Sequence, residues 1–122
     1  RAYRLRDGQL SQLTDDHSLV GELVRSGAIT SAEAERHPQR SIITRALGAE
    51  AVVVVDVIQE EPVDGDVYLL CSDGLSGMVS DAEMSRTVTA ERDVEVAASR
   101  LIDAANAKGG VDNITALLAR IE

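Results

Sequence analysis

The sequence predicts an α+β chain built on antiparallel strands, and three observations carry that reading. Asp7-Gly8 stands between two short strand-like runs and is a strong two-residue hairpin signal, since both residues tolerate the positive φ of a tight turn. Three later runs, Ala51 to Ile58, Val67 to Ser72 and Ile114 to Ile121, are rich in apolar and β-branched residues and have strand length. Between the last two, Val94, Ala97, Ala98, Leu101, Ile102 and Ala105 recur at helical spacing, a stripe suited to packing on a sheet.

Taken in order, RAYRLR and QLSQL flank the Asp7-Gly8 turn and form the opening strand pair. In the following stretch Leu19, Leu23 and Val24 share one helical face, and Thr30 with Glu33 makes a capping box for a second short helix that Pro38 ends. AVVVVDVI, Ala51 to Ile58, reads as a well-buried strand. Pro62 and Asp64-Gly65 supply a turn before VYLLCS, a second buried strand that stops at Asp73-Gly74. Ser80 with Glu83 opens another helix, a longer one covers about Glu91 to Lys108, and Gly109-Gly110 terminates it ahead of the closing strand ITALLARI.

At 122 residues there is room for one small domain with a modest core. No apolar run approaches the roughly 18 residues of a membrane helix, and RAYRLRDGQL lacks the apolar centre of a signal peptide. The lack of a starting Met suggests that the chain begins inside a longer protein. The net charge of −9 disfavours nucleic-acid binding and suits either solubility or hard divalent cations. The single cysteine, Cys71, lies within an apolar run as a small core residue, and two histidines, His17 and His37, give little support to a zinc site.

Two carboxylates stand apart by position. Asp73 lies where a buried strand ends, and Asp112 immediately before another begins. If those strands are antiparallel neighbours, both carboxylates meet at one sheet edge, where they repel unless a cation lies between them or one is protonated. Mg²⁺ or Mn²⁺ is the natural candidate, since it accepts a few carboxylates and keeps waters. Gly74 leaves room for close backbone approach, and Asn113 can fix the loop through local hydrogen bonds. On spacing alone the simpler reading is that SDG and VDN are turns whose Asp hydrogen-bonds the backbone.

The ordered set LLCSDGLSGMVSDAEM followed by GGVDNITALLARI, with RAYRLRDGQLSQLTDDHSLV and HPQRSIITRALG before it, resembles the PPM family of metal-dependent, type 2C protein serine/threonine phosphatases, most closely its compact bacterial branch. The resemblance implies part of an α-β-β-α sandwich of two antiparallel sheets flanked by helices. It also implies a two-metal Mn²⁺ or Mg²⁺ centre at one end, joined in bacterial members by a third, weaker metal. Asp73 and Asp112 match metal ligands, with Gly74 and Asn113 supporting that loop. The resemblance further implies that metal-held water attacks phosphorus and that Cys71 is not the nucleophile. The Asp-Gly-x-Gly-Gly motif and the phosphate-gripping Arg of the family are absent, so residues 1–122 match a C-terminal portion of the catalytic domain, inactive alone. The missing N-terminal half would supply strands to both sheets, leaving strand edges and an apolar face uncovered here.

By the same resemblance, residues 17–39 correspond to the flap beside the active site of the bacterial members, from which His37 and Arg40 are candidates to meet substrate, with Arg36 and Arg45 as further basic residues. The implied partners are phosphorylated proteins, including Ser/Thr kinases and their substrates, in the cytoplasm or on a cytoplasmic domain of a larger protein. Two other readings stay open: a noncatalytic PPM-like regulatory module, and a phosphatase acting on an anti-sigma-factor antagonist.

Overall fold

A computed structural model describes residues 1–122. The chain divides into two compact units, Arg1–Thr14 with Gln59–Glu122, and Asp15–Ile58.

The first unit is a four-stranded antiparallel sheet with helices on one face. The strands are β1 (Ala2–Arg6), β2 (Gln9–Gln12), β3 (Val67–Cys71) and β4 (Ala116–Arg120), in spatial order β2-β1-β3-β4. The β1–β2 turn is the expected one: Asp7 has φ 51° and Gly8 φ 77°, both left-handed. Register follows from side-chain alternation. Tyr3 lies opposite Leu69, which lies opposite Leu118, and these point to the helices. The helices are α3 (Asp73–Ser76), α4 (Asp81–Ala90) and α5 (Val94–Ala107). Ser80 and Glu83 exchange the two hydrogen bonds of a capping box at the start of α4, and Asp93 caps α5. The stripe predicted on α5 buries Ala97, Leu101 and Ala105. With Tyr3, Leu5, Val67, Leu69, Leu75, Val79, Met84 and Val88, the last two of these form the core.

The other sheet face is only partly covered. Leu70 and Leu117, opposite each other in the register, are 51% and 56% exposed. On that face Asp66 is almost fully buried and held by a clasp: Arg6 donates through Nε at 2.8 Å and Nη2 at 2.6 Å, and the Val63 amide at 2.9 Å. Burial of this carboxylate is tolerable because its partners replace water. The first unit thus has two layers, a sheet and the helices on one of its faces.

The second unit contains α1 (Leu19–Arg25), capped by Ser18, and α2 (Ser31–Glu35), which begins with the expected Thr30–Glu33 capping box. The Leu19 amide donates to the Ile42 carbonyl at 3.0 Å and the Thr44 amide to the His17 carbonyl at 2.9 Å, tying the return of the segment to its beginning.

One expectation is overturned here. Ala51 to Ile58 is neither strand nor buried: Val52, Val54, Val55 and Val57 are 78%, 67%, 73% and 82% exposed. β-branched residues favour a pleated surface only where a neighbouring strand and a packed face exist, and no strand lies beside this run. It is tethered by polar contacts instead: Asp56 meets His17 Nε2 at 2.7 Å and Arg45 Nη1 at 2.9 Å, and Arg45 also donates to the Val54 carbonyl at 3.2 Å.

Candidate metal-holding loops

Antiparallel pairing of β3 with β4, closing with Cys71 opposite Ala116, brings the end of one strand beside the start of the other. Two loops leave this edge, Ser72–Gly74 and Asp112–Thr115. Ser72 joins them three ways. Its amide donates to the Thr115 carbonyl at 3.1 Å, its hydroxyl donates to the Asn113 carbonyl at 3.2 Å, and that hydroxyl accepts from the Thr115 amide at 3.0 Å.

Gly74 is buried in the contact: a Cβ built there would lie 2.1 Å from the Asn113 carbonyl oxygen. Only glycine allows this approach. Asp73 and Asp112 are both solvent-exposed, the first at the N-terminus of α3, the second accepting the Asn113 amide at 2.7 Å. The arrangement supplies two hard oxygen donors on adjoining loops of one sheet edge. That suits part of the shell of Mg²⁺ or Mn²⁺. It supplies no more: no group of three or more His, Cys, Asp or Glu side chains in this chain is gathered to hold a metal. Cys71, half-buried next to these loops, has its thiol pushed up by burial, which keeps it protonated and poorly nucleophilic.

His37 and Arg40 lie in the other unit and are engaged locally. His37 Nδ1 accepts the Gln39 amide at 3.0 Å, and Arg40 donates to the His37 carbonyl at 3.2 Å. Two features of the carboxylate end escape sequence reasoning. Ser72 reads as an ordinary strand-end residue, yet its hydroxyl cross-links the loops. Tyr3 reads as one more strand residue, yet its buried hydroxyl reaches Asp81 Oδ1 at 3.2 Å and accepts from Arg1 Nη1 at 3.0 Å. A cavity of about 320 Å³ lies at the opposite end of the strands, beside Asp7, Gly8 and Gly65, away from both loops.

No family model matches the chain. Individual proteins do. It is 46% identical over 118 residues to the serine/threonine phosphatase stp of Listeria innocua, a match that covers 97% of this chain and 47% of that protein. Among solved structures, the PPM Ser-Thr phosphatase MsPP from Mycobacterium smegmatis, in complex with cacodylate, superposes with a TM-score of 0.90 at 45% identity, covering 99% of this chain and 52% of that one. The catalytic domain of the serine threonine protein phosphatase PstP, in complex with two manganese ions, does so with a TM-score of 0.85 at 41% identity, covering 100% of this chain and 50% of that one. The chain therefore spans about half the length of the Listeria relative.

Proposed function

Because the chain belongs by sequence and fold to the PPM, type 2C, serine/threonine phosphatases, we propose that it is the C-terminal portion of a metal-dependent phosphatase domain in which Asp73 and Asp112 hold Mn²⁺ or Mg²⁺. The observation that carries this reading is the seam of Ser72, Gly74, Asn113 and Thr115, which places both aspartates on adjoining loops. Gly74 and Asn113 act there as the supporting backbone. When bound, the metals lower the pKa of attacking water and neutralise charge on the phosphoryl oxygens. The residues of this chain would supply two carboxylate ligands and fix the separation between them.

The substrates in this reading are phosphoserine and phosphothreonine proteins, among them Ser/Thr kinases and their targets, met in the cytoplasm by a free protein or by the cytoplasmic domain of a larger one. Residues 17–39, within the separately compact Asp15–Ile58 unit, would serve as a substrate flap, with His37 and Arg40 available to a phosphopeptide. Two carboxylates are an incomplete shell, so further ligands must come from elsewhere in the domain. The partly covered Leu70–Leu117 face and the exposed valines between Val52 and Val57 support the same conclusion, as apolar surface that a remaining portion would cover.

The test is p-nitrophenyl phosphate hydrolysis across a Mn²⁺ titration, by this chain alone and by a domain completed with the upstream half of a bacterial relative. We expect turnover only from the completed domain, and its loss in Asp73→Asn. Robust turnover by the chain alone, abolished by Asp73→Asn, would overturn the partial-domain reading. A completed domain that binds Mn²⁺ without turning over substrate would favour a noncatalytic regulatory module.

A further inference from the structure

We infer that Tyr3 and Asp81 are positioning residues for the loop carrying Asp73, acting through one hydrogen bond between β1 and the start of α4; the inference rests on the metal reading above. The segment from Asp73 to Asp81 is short and tied at both ends. Its beginning is delivered by β3, and Tyr3 lies directly opposite Leu69 in the adjoining strand. Its middle is pinned by Leu75 and Val79, 0% and 1% exposed in the core that includes the Tyr3 ring. Its far end is Asp81, whose carboxylate accepts the Tyr3 hydroxyl at 3.2 Å. One residue of β1 therefore sets the distance between the strand that feeds the loop and the helix that receives it.

Two observations separate this role from simple packing. The Tyr3 side chain is fully buried, and phenylalanine would fill the same ring volume without a hydroxyl to satisfy. A buried hydroxyl left unpaired is costly, so its presence has to be matched by defined partners. Those partners are Asp81 and Arg1, which donates to the phenol oxygen at 3.0 Å. Nor is the bond needed to start α4, because Ser80 and Glu83 already complete the capping box there. What the bond adds is a fixed tether on the C-terminal side of the Asp73 loop, matching the tether that Ser72 provides on its other side. A ligand loop held at both ends keeps its carboxylate in place before the cation arrives.

The test uses the completed domain, with Mn²⁺ affinity read from the free-ion electron paramagnetic resonance signal and stability from thermal unfolding. Tyr3→Phe and Asp81→Ala should each weaken Mn²⁺ binding by about tenfold, the scale seen when supports of metal ligands are removed. The double variant should be no worse than either, because both remove the same bond. Asp81→Asn, which keeps an acceptor oxygen, should bind Mn²⁺ within about threefold of wild type. A Tyr3→Phe domain with a lowered melting temperature and unchanged Mn²⁺ affinity would overturn the inference, leaving the hydroxyl a purely structural group. Additive losses in the double variant would overturn it as well. If instead Asp73→Asn binds Mn²⁺ as wild type does, the metal reading beneath fails, and the inference with it.

Discussion

Gly74→Ala pits local propensity against tertiary contact. Gly74 lies within α3 at ordinary negative φ, so helix propensity alone would have alanine stabilise the chain by about 0.5–1 kcal/mol. The new methyl group would, however, stand 2.1 Å from the Asn113 carbonyl oxygen and 2.9 Å from its carbon. Heavy atoms not bonded to each other settle at about 3.5 Å, so the two loops must part by roughly 1 Å or more. Both neighbours are backbone, which cannot rotate away as a side chain tip would. Separation on that scale strains the three hydrogen bonds through Ser72, at 3.0–3.2 Å. Losing two of them costs about 1–3 kcal/mol, overpacking adds about 1–3, and the propensity gain offsets less than one of these. The expected result is a net destabilisation of about 2–4 kcal/mol by urea unfolding. Gly8→Ala is the comparator. It has nothing within 4 Å and suffers only the cost of a left-handed backbone, φ 77°, about 1–2 kcal/mol. A Gly74→Ala chain as stable as wild type, or less perturbed than Gly8→Ala, would refute the close approach of the loops.

Two other perturbations test the opposite sheet face. The Arg6 guanidinium and, secondarily, the Val63 amide hold the Asp66 carboxyl well below the usual carboxylate range against the opposing effect of burial. Its stabilising contribution is therefore complete above the unfolded value of about 3.9 and is lost as pH falls towards the lower folded one. Wild type should lose more urea resistance than Asp66→Asn between about pH 5 and pH 2, and parallel curves would contradict the clasp. For the apolar surface, Leu70→Ser with Leu117→Ser should reduce concentration-dependent association of the isolated chain in sedimentation experiments, while destabilising the completed domain by about 1–3 kcal/mol per site. Unchanged association would contradict a role for this face in joining copies of the chain.

Features set by neighbours in the chain were legible in the residues themselves. Asp7-Gly8 specifies a turn by its φ requirements, Thr30–Glu33 and Ser80–Glu83 specify helix starts by reciprocal hydrogen bonding, and the α5 stripe specifies a buried face by period. The meeting of the Asp73 and Asp112 loops was legible conditionally, since it needed only that β3 and β4 be antiparallel neighbours, as they are. Features set by distant partners were not. Ala51 to Ile58 has every local mark of a buried strand, but a strand is a property of a pair, and no strand of the sheet lies beside it. Leu70 and Leu117 look like core residues for the same reason. Asp66 and Asp81 are two acidic residues among 21, and nothing in their neighbourhood foretells that Arg6 and Tyr3 from the opening strand will reach them.

The position of β1 has an evolutionary corollary. Because β1 pairs with β2 on one side and directly with β3 on the other, the sheet closes across the whole Asp15–Ile58 excursion without any strand from it. To the sheet, that excursion is a long loop, and loop-closure entropy grows only logarithmically, about 0.6 kcal/mol for each doubling of length. Insertions, deletions and wholesale sequence change between Thr14 and Gln59 are thus nearly free of consequence for the strand ladder. Insertions or deletions fixed there would leave unchanged the β3–β4 pairing that brings the Asp73 and Asp112 loops together.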